Sequence, residues 1–274
     1  MQEITLLKRI DSLEAGFMRQ FKQYLQQVIQ LPHVHGYQQI NALQFWAPGR
    51  LGKILTPYIR DMFAMGRAHG DILCHQLINK YDKNRLAQWV PSVESGVIKL
   101  AIGYDPATFW LHPTQAIEAL DSRTLILAGD VETDILSDIK QILLQHMNQG
   151  ITMAVAQAAV TSVLKSTYNR GQLICTTETT YAYNRGRLAS YAANEVDYVR
   201  FSAIMDMRTS TQCKSRHGLV MKMNSPQLAG NTPPLHGRCR SVLSPVYSKY
   251  EPQEITKENT DWQRVAPLPK GWKT

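Results

Sequence analysis

Four residues in the last third of the chain have the types and the spacing that bind a metal. Cys213 and His217 stand four apart, His236 and Cys239 stand three apart, and a polar stretch of about 18 residues containing Gly and Pro joins the two pairs. A C-x3-H turn and an H-x2-C turn each aim two ligands at one point, so the set suits tetrahedral zinc held by two thiolates and two imidazoles. Few large apolar residues lie in this region, so such a metal is expected to take the place of a local core. If His217 is not a ligand, the alternatives are Asp206 in its place, an open site with three ligands, or a metal-free, hydrogen-bonded Cys and His cluster. Acid–base chemistry is the other option here. Glu178, Asp206 and His236 could supply acid, base and metal-activated water for phosphodiester cleavage. Against that, no paired carboxylates for two-metal cleavage are visible, and a zinc closed by four protein ligands leaves no room for substrate. Glu178 reads equally well as an ion-pair partner of Arg208.

The charge around these residues points to a polyanion. Of the net charge of +8, all is accounted for between Lys165 and Lys249, where twelve Lys or Arg face Glu178, Glu195, Asp197 and Asp206. A basic lobe on an otherwise balanced chain favours nucleic acid. Arg185, Arg187, Arg200 and Lys214 are assigned to phosphate contact, together with Arg216, Lys222 and Arg238. No helix-turn-helix, recognition helix or base-stacking aromatic motif supports reading of sequence, so double-stranded DNA would be bound non-specifically.

The elements that must position these residues are mostly helical. In a chain of 274 residues, 44% hydrophobic and 19% charged, wholesale disorder is excluded and one or two domains are expected. Ile4, Leu7, Ile10, Phe17, Phe21, Leu25 and Val28 recur at helical spacing over 2–30. Leu31 to Gly52 reads as a long loop with His33 and His35. Its Gly49-Arg50-Leu51-Gly52-Lys53 run is similar to a phosphate loop but lacks the glycine spacing and the hydroxyl residue after Lys. A second helix covers Leu55 to Lys80, with Gly66 and Gly70 as close-packing sites, and Tyr81 to Pro113 is a seam. Further helices are expected at 131–147, started by Asp130 and ended by Gly150, then at 151–166 and 172–193. Strands follow at Asp197–Met205, Leu219–Met223 and Arg240–Val246. The fold class is therefore α+β: a largely helical N-terminal region, 1–112, then 113–246 with helices and a small β-sheet carrying the Cys/His loop. Residues 247–274, with Trp262 and Trp272 among polar neighbours, form an extended C-terminal tail suited to lying on another subunit. Cys74 and Cys175 fall on helices as core thiols. No signal peptide or membrane span is visible, so a cytoplasmic protein with no membrane partner is expected.

An ordered series of unusual elements adds a resemblance. Asp206, Arg208, Thr209 and Cys213, then His217-Gly218, then Pro233-Pro234-Leu235-His236 and Cys239-Arg240 are similar to the minor head protein family of tailed phages typified by the phage Mu F protein. Thr177-Glu178 followed by Asn184, and Pro113 with Ala116 and Ile117, resemble its upstream segments, so the resemblance spans about 113–246. Ser241 departs from the pattern, since the family usually carries a second Cys directly after the Arg. The resemblance implies a low-copy head morphogenesis protein, a minor capsid component assembled in the host cytoplasm and ending in the virion head interior. It also implies a portal, scaffold or capsid protein as partner and packaged DNA as neighbour. The rival class is a nucleic-acid-directed hydrolase delivered with the genome. Zinc is the sole cofactor in view.

Overall fold

In the computed structural model of the protein, residues 2–28, 49–88, 114–149, 153–248, 260–270 and 272 are described. Helices dominate: α1 (Gln2–Val28), α2 (Arg50–Tyr81), α3 (Lys83–Gln88), α4 (Thr114–Gln149) and α5 (Met153–Ala193) precede the first strand. Then come β1 (Tyr198–Ser202), α6 (Thr211–Arg216), β2 (Val220–Lys222), α7 (Gln227–Asn231), β3 (Val242–Val246) and α8 (Trp262–Val265). The α+β expectation is met. Most of the loop expected over 31–52, with His33 and His35, and most of the seam at 81–113 lie outside the described residues. Among the described residues no helix is long and apolar enough to cross a membrane.

Three helix boundaries differ from the sequence reading, each for a physical reason. The residues from Arg50 to Gly52, expected in the loop, already belong to α2. That helix is capped from a distance: Glu132 on α4 accepts the Gly49 and Leu51 N–H groups through its two carboxylate oxygens, at 2.8 and 3.0 Å. A remote carboxylate satisfies the orphan donors, so no local capping residue marks the start. Asp130 does not start a helix but lies inside α4, because the Ala- and Leu-rich stretch before it is helical as well. The expected break between 166 and 172 is also absent. Gly171 sits within α5 because Phe21 lies against it, at 1.9 Å from where a Cβ would stand.

The chain forms two compact units. One comprises Asp11–Ile59 and Glu118–Cys175. Its core gathers Leu13, Phe17, Phe21, Tyr24 and Leu25 from α1 with Leu51 and Leu55 from α2 and Val131, Ile135 and Ile139 from α4. The Phe17 and Phe21 rings stack at 5.7 Å.

The other unit comprises Met1–Ile10, Arg60–Ile117 and Thr176–Thr274, and it holds the sheet and the Cys and His residues. Within it α2 and α5 touch backbone to backbone. A Cβ on Gly66 would fall 2.0 Å from the Tyr183 carbonyl oxygen, and one on Gly186 would fall 2.0 Å from the Phe63 carbonyl oxygen. Gly70 approaches the Ser190 side chain one turn further on. The expected close-packing role of Gly66 and Gly70 is therefore real, and α5 supplies small partners at the matching repeat. Asp71 accepts from Ser190 and Asn194 beside this seam.

The sheet is antiparallel in the order β2-β1-β3. Strand alternation sends Val199 and Phe201 of β1 inward and leaves Tyr198, Arg200 and Ser202 on the outer face. The inner face joins Leu219, Met221, Leu235 and Leu243, with Cys74 and Ile78 of α2 and Tyr191 of α5, in one buried cluster. This overturns one expectation: the lobe does have an apolar core, and Cys213 and Cys239 are members of it. Sequence counting missed that core because part of its wall comes from earlier helices, through Cys74 and Ile78 of α2 and Tyr191 of α5.

Residues of the expected tail pack on their own lobe rather than forming an extended arm. The Trp262 ring lies 4.5 Å from the Arg216 guanidinium, and Trp272 donates its indole N–H to the Pro234 carbonyl at 3.1 Å.

Candidate functional site

One face of α5 holds the last part of the site in place. Thr177 accepts the Arg238 N–H at 3.3 Å, and Thr180 donates to the Cys239 carbonyl at 2.9 Å. Asn184 donates to the Ser241 carbonyl at 3.3 Å and accepts the Leu243 N–H at 3.1 Å, while Tyr191 donates to the Leu243 carbonyl at 2.9 Å. These four positions follow helical periodicity, so one stripe of polar side chains reads the backbone from 238 to 243 and fixes where Cys239 stands. Thr177 and Asn184 were legible in the sequence, whereas Thr180 and Tyr191 were missed. The signal was there: a polar stripe at helical spacing inside an otherwise well-buried helix.

Cys213 comes from the other side, on α6. Ser210 caps that short helix by accepting the Cys213 N–H, which points the thiol inward, where it is 2% exposed. Cys213 Sγ lies 3.2 Å from His236 Nε2 and 3.7 Å from Cys239 Sγ. The ligand atoms of Cys213, His236 and Cys239 all lie within 4.8 Å of one another, the geometry a metal ion needs. His236 Nδ1 donates to the Gly237 carbonyl at 2.8 Å, which orients the ring and directs Nε2 at the sulfurs.

The fourth expected ligand stands elsewhere. α6 ends at Arg216, and His217 follows in a non-helical conformation with φ −55° and ψ 127°. Its exposed ring accepts the Ala203 N–H at Nδ1, at 3.1 Å. A C-x3-H pair converges when the helix continues through the His, and here it does not. Asp206, the alternative ligand, is also outside the group. Its carboxylate receives the Arg240 guanidinium through two hydrogen bonds of 2.9 and 2.7 Å and the Arg208 N–H at 2.9 Å. Arg240 chiefly, with the Arg208 N–H and Thr209 behind it, holds the Asp206 carboxyl well below the usual carboxylate range. Glu178 is buried on α5 and is likewise outside the group. Arg208, suggested as its buried partner, has its side chain 80% exposed beside Asp206. Glu178, Asp206 and His236 are therefore not one acid–base cluster.

Without a cation, the three grouped residues settle their protons among themselves. A hydrogen bond from the Cys239 thiol and others from His236, Ser241 and Ser210 pull Cys213 down to about 4 against the effect of burial. Cys239 is pushed up as the donor to that thiolate and by burial, and His236 is raised by its hydrogen bond to Cys213. These hydrogen bonds favour the thiolate form of Cys213 and the thiol form of Cys239. Cys74 is different: burial pushes it up to about 12, in keeping with an inert core thiol, and Cys175 is raised in the same way.

The cations assigned to phosphate contact divide into two sets. Arg187 and Arg216 are corrections, since both are buried. Arg187 donates to the Tyr191 hydroxyl at 2.9 Å, and Arg216 donates to Asn231 at 2.6 Å and to the Ala266 carbonyl at 3.1 Å. A desolvated guanidinium spent on internal acceptors is unavailable to DNA. Lys214, Lys222 and Arg238 are exposed, Arg200 is partly exposed, and Arg185 is half-buried with its guanidinium 5.0 Å from the Tyr181 ring centre. Lys222 pairs in register with Tyr198, which places it with Arg200 on the outer face of the sheet.

Residues 137–244 match the family model described as Phage Mu protein F like protein. The match covers α5, β1, β2, the start of β3 and all three grouped side chains. No curated protein and no solved structure matches the chain.

Proposed function

We propose that the chain is a minor head protein of a tailed phage or prophage, because residues 137–244 match the family model described as Phage Mu protein F like protein. It joins the procapsid beside the portal during assembly in the host cytoplasm, and it ends inside the virion head with its basic face toward packaged DNA. The family match carries this reading. The accessible cations support the DNA half: Arg200 and Lys222 share one sheet face, and Lys214 on α6 and Arg238 in the loop before β3 are exposed as well. None of these belongs to a sequence-reading motif, so the contact is to phosphates.

Salt dependence tests the DNA half. Four phosphate contacts correspond to a slope of about −3.6 in log K against log salt, and the Arg200→Gln, Lys222→Gln double variant should flatten it by about 1.8. Equal retention at low and high salt, no retention, or an unchanged slope in the double variant would count against the proposal. Cutting of the DNA on addition of magnesium would overturn a purely binding role. The portal half is tested by co-expressing the full chain with the portal, scaffold and capsid proteins of the same phage and recovering it by affinity. Portal protein should come with it, and recovery of none of the three would reject the assignment.

A further inference from the structure

We propose that Cys213, His236 and Cys239 bind one zinc ion through three protein ligands, with a solvent molecule in the fourth position. This rests on the geometry of the group and not on the head-protein reading. Zinc–sulfur bonds of about 2.3 Å and a zinc–nitrogen bond of about 2.0 Å in a tetrahedron require a sulfur–sulfur edge of about 3.8 Å and a sulfur–nitrogen edge of about 3.5 Å. The corresponding separations are 3.7 Å for Cys213 Sγ to Cys239 Sγ and 3.2 Å for Cys213 Sγ to His236 Nε2. A small outward shift of one ring therefore admits the ion.

The surroundings fit thiolate ligands. Cys213 is hydrogen-bonded by the Ser210 and Ser241 side chains, and Cys239 by the backbone of Leu235 and Ser241. The Gly237 carbonyl fixes the tautomer that leaves Nε2 able to coordinate. Among the described residues no fourth Cys, His, Asp or Glu joins the group. Both thiols are buried and His236 is the more exposed member of the group, so we set the fourth position on the His236 side. An open position of this kind takes a small neutral or anionic donor.

The full chain, expressed with zinc and purified without chelator, should carry close to one zinc per molecule. Exchange for cobalt(II) should give sulfur-to-cobalt charge-transfer absorption in the near ultraviolet and intense visible bands of a four-coordinate site. Added imidazole should shift those visible bands by replacing the solvent ligand. His217→Ala should leave the stoichiometry and spectrum intact, whereas His236→Ala and Cys239→Ser should lose the metal. If Cys239→Ser does not fold, the unsubstituted protein and His217→Ala decide the matter by themselves. Negligible metal with no cobalt spectrum overturns the site. Loss of the metal in His217→Ala, or visible bands indifferent to imidazole, overturns the three-ligand arrangement.

Discussion

Replacing Gly66 or Gly186 with Ala should destabilise the protein, although Ala is the better helix former. In an exposed helix the change contributes about 0.8–1.0 kcal/mol of stability. Here the added Cβ would stand 2.0 Å from a carbonyl oxygen of the facing helix, at least 1 Å inside the 3.0 Å floor of real Cβ contacts. The obstacle is backbone on a packed helix, so the helices must part, and overpacking of this kind costs about 1–3 kcal/mol. A gap of that size also forfeits part of the dispersion contact along the rest of the seam. We therefore expect each variant to lose about 1–2 kcal/mol net, a fall in Tm of roughly 2–8 °C for a chain of this size. Gly129→Ala is the control, because nothing lies within 4 Å of the Cβ position on α4. It should gain up to about 1 kcal/mol. The Gly66→Ala, Gly186→Ala double variant should lose less than the sum, since one separation of the helices relieves both clashes. Urea unfolding followed by circular dichroism reads all four proteins. If Gly66→Ala and Gly186→Ala shift the midpoint upward as Gly129→Ala does, the backbone contact between α2 and α5 is wrong.

Two further outcomes follow from the site. Asn184→Ala removes both hydrogen bonds to the 241 and 243 backbone from a buried position, which should cost about 1–3 kcal/mol; under the zinc proposal it should also weaken metal retention. No change in either quantity would refute the positioning role of α5. Asp206 is a carboxylate whose folded pKa lies below its unfolded value, so its contribution is present above the ordinary carboxylate range and is lost as pH falls through the folded value. Asp206→Asn should be less stable than the parent at neutral pH in low salt. The difference should shrink with added salt, because the pair is exposed, and close in strong acid. A gap unaffected by salt and pH would mean that the Arg240 pair is not its cause.

What the sequence revealed depended on whether a partner was near or far along the chain. The strands were legible from their own alternation, as at Val199 and Phe201. Cys213, His236 and Cys239 were legible as a metal-type set from short spacings and residue chemistry. His217 was not separable from them, because the single residue at which α6 stops decides where its ring goes. The charge of the lobe could be counted, but not which cations were spent inside. Arg216 finds Asn231 and Ala266 at separations of 15 and 50 residues. The start of α2 was hidden for the same reason, since its capping carboxylate lies 81 residues beyond Leu51. Gly and Asp within α4 and α5 read as punctuation because propensity is local, whereas Gly171 and Gly186 answer to the side chain or helix packed against them.

The contact of Arg216 with the 260–272 segment sets an order in time. During synthesis the strands and the Cys and His residues are added to the chain before Trp262 and Ala266. At about 5–20 residues per second, the interval between the end of β3 and Ala266 is on the order of one to four seconds. Throughout it neither the Ala266 carbonyl nor the Trp262 ring is available to the Arg216 guanidinium. The nascent lobe must keep that cation hydrated and its wall open until the late segment arrives to shut it. Completion of this lobe thus waits on Trp262 and Ala266, and any change that draws them away from Arg216 would hold the lobe at the unfinished stage.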